Sequence, residues 1–332
     1  ALVLFAATIA IYLRMIAPGL LSGDSGEFQF AAWRLGLAHA TGYPLYLLLG
    51  WAWQHLLSFV GISPATALNA FSALIGASSV ALFYWLLLAW LPGELLIRRL
   101  TALFAALFFA FTPTFWSQSL IAEVYTLQVL LLLLIFLSFT RSVTESQPAA
   151  HNSQLAIRNS QLFPLFFCSG LALTHHATTL FLAPGVVVAL FLARPNWWKS
   201  GRTVVSGLVL LLLPLLLYLY VPLRSGIDAS PWYYLRLGET TIPLYGGGWQ
   251  GFVDFVSGRS ISVGFKSLSE AVATLPQAWT LWKLHFGWIG LVLMVIGLVA
   301  LVRSRNWTVL SLTLPFALIL QLFNLLDRKS VV

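Results

Sequence analysis

Two carboxylates stand three residues apart near the start of the chain, in the stretch Ser22-Gly23-Asp24-Ser25-Gly26-Glu27-Phe28. On a helix this spacing projects both side chains from the same face, where they can share a site for proton transfer. The alternative is structural: Asp24 caps a helix that begins near Ser25, and Glu27 completes a capping box. The whole chain has only 10 acidic residues, and two of them stand here beside a Gly- and Pro-rich turn. This favours a proton-transfer site over a helix cap.

Further ionisable residues occur where apolar runs end. Glu123, followed by Tyr125, either anchors a helix at the membrane interface or faces the same cavity as Asp24. His175 and His176 are adjacent, so they point in different directions on a helix and cannot readily bind one metal ion together. One imidazole contacting a phosphate is a plausible role, and a packing histidine is as plausible.

Arg224 emerges at the end of the run Tyr218-Leu219-Tyr220-Val221-Pro222-Leu223. A guanidinium at headgroup level suits the phosphate of a lipid, although arginines also extend from helix ends to water without any ligand. The sequence contains no P-loop, no H-E-x-x-H zinc motif, no G-x-S-x-G elbow and no D-x-D motif. These absences count against an enzyme that handles nucleotides.

Composition defines what must position these residues. Of the 332 residues, 59% are hydrophobic and only 8% are charged, against about 25% charged in a soluble domain. The net charge of +8 comes from short clusters between apolar runs, which indicates orientation in a membrane and not nucleic-acid binding. The single cysteine, Cys168, excludes an intrachain disulfide and a cysteine-based metal site. We therefore predict an all-α polytopic membrane protein.

Apolar runs of spanning length recur along the chain and predict about nine transmembrane helices in a single domain, 1–332. The chain starts at Ala1 and stops at Val332 just after an apolar run, which suits a piece truncated at both ends. The predicted helices lie at about residues 2–17, 65–91, 100–116, 124–140, 162–175, 178–193, 204–222, 285–302 and 307–325, with a less certain one at 44–60.

The positive-inside rule decides the uncertain run. If 44–60 lies in the outer leaflet without crossing, the basic clusters all face the cytoplasm. The residues 18–64 and 225–284 then form outer loops, the first carrying short interfacial helices, and 141–161 forms a polar cytoplasmic loop. The clusters are Arg98/Arg99, Arg141 with Arg158, Arg194/Lys199/Arg202 and Arg303/Arg305.

The outer-loop motif has a counterpart in a known family. Gly23-Asp24-Ser25-Gly26-Glu27-Phe28, followed by Leu35-Gly36-Leu37-Ala38-His39-Ala40-Thr41-Gly42-Tyr43-Pro44-Leu45-Tyr46, resembles the membrane proteins first catalogued as a domain of unknown function, DUF2723, and linked to protein O-mannosyltransferases of the TMEM260 type. Later landmarks follow in the expected order at Glu123, at Thr174-His175-His176 and at Tyr220 to Ser225. The sequence departs from the usual His-Pro-Pro-Gly, with Ala40 and Thr41 in place of the prolines.

The resemblance implies a GT-C glycosyltransferase fold, a polyprenyl- or dolichyl-phosphate sugar donor and an acidic residue of the first outer loop as catalytic base. Carried over, that base is Asp24, with Glu27 assisting it. We expect inverting transfer of mannose or a similar sugar to a protein or glycan hydroxyl on the outer face. The expected substrate- and phosphate-binding residues are His39, Tyr43, Glu123, Tyr125, His175, His176 and Arg224.

This scheme requires no cofactor and no metal, although a carboxylate pair could hold a divalent ion. The expected partners are membrane lipid, the lipid-linked sugar and the acceptor, with no nucleic acid. The membrane would be the plasma (inner) membrane in a bacterium and the endoplasmic reticulum in a eukaryote. A transporter or lipid flippase without covalent chemistry, and a structural subunit of a larger complex, are the alternatives. The transporter predicts ionisable residues in mid-membrane, whereas the candidates here lie at helix ends and in loops.

Overall fold

The computed structural model describes residues 1–144, 160–226, 234–237, 239–262 and 264–327 of the chain. Within these ranges the regular secondary structure is helical apart from one antiparallel hairpin, in which Tyr234–Leu237 pairs with Thr240–Pro243. The predicted helical fold class is confirmed. Most of the predicted cytoplasmic loop 141–161, including Arg158, lies outside the described residues.

The helices match the apolar runs closely, and several begin at a proline, whose fixed φ suits the first turn. In residues 1–144 they are α1 (Leu2–Met15), α2 (Gly23–Arg34), α3 (Pro44–Ser58), α4 (Pro64–Trp90), α5 (Leu95–Ala110), α6 (Pro113–Leu120) and α7 (Tyr125–Thr144). Later α-helices are Phe163–His175, Ala183–Ala193, Gly201–Leu212, Tyr220–Arg224, Gly248–Val256, Leu268–Ala273, Leu275–Arg303 and Trp307–Leu326, with 3₁₀ turns at Ala177–Leu182, Trp197–Lys199, Leu213–Leu219 and Arg259–Ile261.

Among the described residues, five helices are long and apolar enough to cross a membrane, or six if the bent pair α5 and α6 is one span. The chain is therefore an integral, multi-pass membrane protein. Nine spans stay a prediction, because Leu2–Met15, Phe163–His175 and the Ala177–Ala193 segment fall short of spanning length. Helix α3 has 15 residues, fewer than the roughly 20 that a crossing needs.

Two boundaries differ from the expected runs. The last helix but one begins at Leu275, ten residues before the predicted 285, because the Trp- and Leu-rich stretch from 275 continues the apolar pattern. Gly287, at φ 59°, interrupts its helical geometry. The run predicted at 204–222 is helical only to Leu212 and continues as a 3₁₀ segment, in which Pro214 cannot donate a backbone hydrogen bond.

The chain packs as two compact units. The first comprises Ala1–Ile135, Phe167–Ala177 and Leu210–Ile261. Its interior includes a buried cluster of apolar side chains from α1, α4, α5 and α6, where small residues let the helices approach closely. At Gly76 an added Cβ would lie 2.5 Å from the Ser119 hydroxyl, so no larger side chain fits without movement. The cluster consists of Leu4, Val80, Ala106, Ala110 and Phe115.

Helix α2 is held in the first unit by buried amides. Gln29 donates through Nε2 to the Asn69 side-chain oxygen of α4 at 2.8 Å, and Asn69 donates to the Ala17 carbonyl at 2.7 Å. Gln54 of α3 donates to the Gln29 carbonyl at 2.9 Å. These buried polar groups are expensive to leave unpaired, so the network fixes α2 against both neighbours.

The second unit comprises Phe136–Phe166, Thr178–Val209 and Ser262–Val332. Its Ala183–Ala193 helix packs closely on Trp307–Leu326, since an added Cβ at Gly185 would lie 2.5 Å from the Ser311 carbonyl oxygen. Helix Leu275–Arg303 exposes large apolar side chains along its length, such as Ile289. Exposed apolar helix faces suit contact with lipid chains.

Candidate active site

All the candidate site residues belong to the first unit. Helix α2 begins at Gly23, whose φ of +66° is readily adopted only by glycine, and Ser22 is the residue at its N-cap position. Asp24 therefore lies inside the first turn and is not the cap that the alternative interpretation required. Its exposed carboxylate sits where the helix N-terminus favours negative charge.

Glu27, one turn further, is bonded through both oxygens to a single residue. The backbone N–H of His39 donates to Oε1 at 2.8 Å, and the His39 ring nitrogen Nδ1 lies 2.5 Å from Oε2. Burial lowers the pKa of His39, but the hydrogen bond and charge of Glu27, with the charges of Asp24 and Glu123, raise it above its ordinary value overall. The pair ties the loop after α2 back onto the helix.

Donor atoms of Asp24, Glu27 and His39 all lie within 4.8 Å of one another. Two carboxylates and an imidazole are ligands that divalent transition metals accept. Both Glu27 oxygens already accept hydrogen bonds from His39, so an ion bound through Nδ1 would have to displace one of them. The arrangement found is a carboxylate–imidazole pair.

Glu123 reaches the same cluster from the segment before α7. Its Oε1 accepts a hydrogen bond from the Ser25 hydroxyl at 2.9 Å, and its backbone N–H donates to the Ser72 hydroxyl at 3.3 Å. Burial raises the pKa of the Glu123 carboxyl, and the charge of Asp24 raises it further, against the opposing effect of Ser25. Glu123 therefore lies close enough to Asp24 for their charges to interact.

Aromatic rings form one wall of the site. The Tyr43 ring lies 5.3 Å from Phe28, edge to face, and 6.3 Å from His176, which in turn lies 6.2 Å from Tyr125. Tyr125 is 50% exposed. These rings place polar edges and apolar faces beside the carboxylates, an environment that suits a sugar.

The two histidines differ in accessibility. His175 is fully buried, and its Nε2 donates to the Val124 carbonyl at 2.8 Å, next to Glu123. Because a carbonyl only accepts, this bond makes Nε2 the protonated nitrogen. His176 is partly exposed, and burial lowers its pKa. The geometry thus suits His175 to holding the Glu123 segment and His176 to meeting a ligand.

Arg224 closes the turn after α2. Its Nε donates to the Leu35 carbonyl at 2.6 Å and its Nη2 to the Arg34 carbonyl at 3.2 Å. Tyr220, one turn earlier, donates to the Gly36 carbonyl at 2.6 Å. The side chains of Arg224 and Tyr220 are also hydrogen-bonded to each other, so the guanidinium is fixed beside the end of α2.

Sequence reasoning missed the supporting contacts. Nothing in the sequence predicts the Ser25–Glu123 bond, which joins residues 98 positions apart. Gly42, at φ +84°, lies against Phe255, which would be 3.0 Å from an added Cβ. A glycine directly before Tyr43 and Pro44 is a weak signal for such packing. The ring of Trp33 stacks on that of His55, with ring centroids 4.0 Å apart.

The family model of the protein O-mannosyl-transferase TMEM260 N-terminal domain matches residues 24–200. The chain is 26% identical over 323 residues to the protein O-mannosyl-transferase tmem260 of Dictyostelium discoideum, covering 91% of this chain and 36% of that protein. It is 29% identical over 233 residues to TMEM260 of Mus musculus, covering 69% and 31%. The chain thus spans about a third of the length of the curated relatives it matches.

Among solved structures, the Saccharomyces cerevisiae protein O-mannosyltransferase Pmt1-Pmt2 complex bound to the sugar donor has a similar fold. The TM-score is 0.52 at 18% identity, and the match covers 70% of this chain and 35% of that one. The likeness shows that the chain shares the fold of the matched part of that complex.

Proposed function

Because the chain belongs to the family defined by the TMEM260 protein O-mannosyl-transferase N-terminal domain, we propose that it transfers mannose from a polyprenyl- or dolichyl-phosphate donor to an acceptor hydroxyl. The acceptor is a protein or glycan on the outer face of the membrane. The transfer inverts the anomeric configuration, and Asp24 is the general base.

One observation carries the assignment of the base. Glu27 is hydrogen-bonded through both oxygens to His39, and Glu123 accepts from Ser25. The Asp24 carboxylate makes no hydrogen bond or ion pair with the described part of the chain. Of the three clustered carboxylates it alone is exposed, so it has lone pairs available for an acceptor proton.

In the proposed reaction the acceptor hydroxyl gives its proton to Asp24 while its oxygen attacks the anomeric carbon. The bond from that carbon to the phosphate oxygen breaks on the opposite face, and its electron pair leaves with the lipid phosphate. A general base contributes about 10²- to 10⁴-fold to such a step. The leaving phosphate needs charge stabilisation more than protonation, and in this proposal Arg224, His39 and His176 supply that stabilisation.

Glu123 and the aromatic residues complete the proposal. Glu123 orients the sugar hydroxyls or Asp24, whose charge helps to raise the pKa of the Glu123 carboxyl. Tyr43 and Tyr125 pack on the sugar, since their rings flank the same histidine. His175 acts indirectly through the Val124 carbonyl.

The test is transfer of labelled mannose from a polyprenyl-phosphate donor in membranes containing the native chain, the Asp24→Asn variant or the Glu94→Gln variant at matched expression. Asparagine keeps the shape of aspartate but takes no proton, so we expect kcat to fall about 10²- to 10⁴-fold with little change in donor KM. Glu94 is exposed at the start of α5, and its variant controls for loss of a carboxylate. Undiminished transfer by Asp24→Asn would exclude Asp24 as the base, and absence of transfer by the native chain would overturn the proposed activity.

A further inference from the structure

The pair formed by Glu27 and His39 has a geometry that the proposed transfer does not by itself require. The Glu27 carboxylate accepts hydrogen bonds from both the backbone N–H and the ring Nδ1–H of His39, at 2.8 and 2.5 Å. The two contacts fix the position of the loop and the rotation of the ring together. Both oxygens of the carboxylate are therefore in contact with His39.

The hydrogen bond also determines what the ring offers on its other side. A carboxylate only accepts, so the proton of the short contact belongs to Nδ1. Nε2 is then the ring nitrogen left for a ligand, and it makes no hydrogen bond to the described residues. The side chains of His39 and Glu27 are 24% and 20% exposed, so the pair is reachable from solvent.

The charges around the ring favour its doubly protonated form. Asp24 and Glu27 face it from α2, and Glu123 faces it from the segment before α7. Tyr43, from the same loop, has a raised pKa through burial and stays neutral. Against burial, these carboxylates raise the pKa of His39, which keeps an N–H on Nε2 over a wider pH range.

We propose that Glu27 is a positioning residue that acts through His39, holding the ring so that Nε2 donates a hydrogen bond to the phosphodiester of the lipid-linked donor. The inference rests on the proposed transfer, whose leaving oxygen lies across the anomeric carbon from the base. A ring nitrogen of His39 is within 4.8 Å of a carboxylate oxygen of Asp24. The proposal puts the leaving oxygen of the bound donor about 3 Å from Nε2, the length of a hydrogen bond.

The rival assignment makes Glu27 a catalytic carboxylate that touches the sugar or assists Asp24 itself. The two assignments differ in a double-mutant cycle. A residue that acts only through His39 has no further effect once the imidazole is gone, whereas a residue that contacts substrate has the same effect in both backgrounds.

The experiment compares four purified full-length chains: native, Glu27→Gln, His39→Asn and the double variant. In Glu27→Gln the amide oxygen can still accept the backbone N–H of His39, so the loop is retained, but the amide NH₂ group cannot accept from Nδ1–H. In His39→Asn the shorter amide can still donate to Glu27 but has no atom at the position of Nε2. The His55→Gln variant, altered in a histidine outside this pair, serves as the control.

Binding of mannosyl-phosphoryl-polyprenol is measured by ligand-dependent thermal shift without acceptor, so the readout does not depend on transfer. We expect Glu27→Gln and His39→Asn each to weaken binding about 10- to 100-fold, the range for losing a hydrogen bond to a charged group. Adding Glu27→Gln to His39→Asn should change binding less than about twofold. His55→Gln should bind like the native chain.

A pH series distinguishes positioning from mere support of the loop. The phosphodiester keeps one charge between about pH 5 and pH 9, so a binding change in this range reports on the protein. Native affinity should decline as pH rises through the raised pKa of His39, Glu27→Gln should move that decline to lower pH, and His39→Asn should abolish it.

Equal losses from Glu27→Gln in both backgrounds, unchanged binding by Glu27→Gln, or failure of the native chain to bind the donor would each overturn the inference. If the native chain binds the donor but transfers nothing, and the binding losses of the two variants are coupled, the inference is supported and the proposed transfer is refuted. Transfer that depends on Asp24 but not on Glu27 would do the reverse.

Discussion

Gly42 offers a test of how closely the loop that carries His39 and Tyr43 is packed. Its φ of +84° is one that other residues adopt at a cost of about 1–2 kcal/mol. An added Cβ would also lie 3.0 Å from Phe255 Cε1 and 3.3 Å from Val221 Cγ2. Overpacking of this kind costs a further 1–3 kcal/mol or so, so we expect Gly42→Ala to destabilise the protein by about 2–5 kcal/mol.

Gly61 provides a matched control, because its φ is +80° and an added Cβ would meet nothing within 4 Å. Gly61→Ala should therefore introduce only backbone strain, which lowers the stability by about 1–2 kcal/mol. The assay is thermal unfolding in detergent, read as the midpoint of each variant against the native chain. The difference between the two variants isolates the contact with Phe255 and Val221.

A double variant sharpens the comparison. Phe255→Leu shortens the side chain nearest to the added methyl, so Gly42→Ala should cost less in that background than in the native one. Transfer activity should fall with Gly42→Ala, since displacement of the loop moves His39. Equal midpoints for Gly42→Ala and Gly61→Ala would refute the packing argument.

The remaining predictions concern the Glu123 segment. Because burial and Asp24 raise the pKa of Glu123, its ionised form destabilises the fold. This penalty is absent below the ordinary pKa of the carboxyl group, grows as the pH rises from that value to the raised pKa, and is complete above it. Glu123→Gln should thus raise the unfolding midpoint at about pH 8 and leave it nearly unchanged at about pH 5. The same variant should lower transfer. A midpoint at pH 8 no higher than that of the native chain would contradict this. His175→Phe removes one of the two hydrogen bonds to the Val124 carbonyl, which keeps the bond from the Gln128 backbone N–H, and should cost about 0.5–1.5 kcal/mol and reduce kcat. The partly exposed His176→Phe should affect donor KM more than the midpoint.

The apolar pattern was enough to predict the class of fold and most helix positions, because length and hydropathy alone determine which runs can form helices in lipid. The boundaries that differ involve local chemistry: Pro214 ends regular hydrogen bonding, and the aromatic stretch from Leu275 extends a helix into a predicted loop. The placement of Asp24 and Glu27 on one helical turn followed from their spacing.

The contacts that assemble the site could not be predicted in the same way. Two adjacent histidines have equal claims in the sequence, and only packing shows that His175 is buried while His176 is accessible. Glu27 and Asp24 are likewise equivalent by residue type. Their difference arises because the loop returns His39 to one of them, which depends on a turn and not on periodicity.

The polar bonds around α2 explain why one carboxylate can be reactive in a mostly apolar protein. Buried amides such as Gln29 and Asn69 hold helix α2 in place, together with its buried Phe28. Unpaired polar groups are costly beside lipid, and Glu27 and Glu123 each have a partner of their own. Asp24 is at the exposed helix N-terminus, where water and the helix dipole stabilise its charge without a fixed partner. A base held rigidly through its helix, but unbonded at its oxygens, can accept a proton without first breaking a protein contact, and this is the property that preorganised catalysis requires.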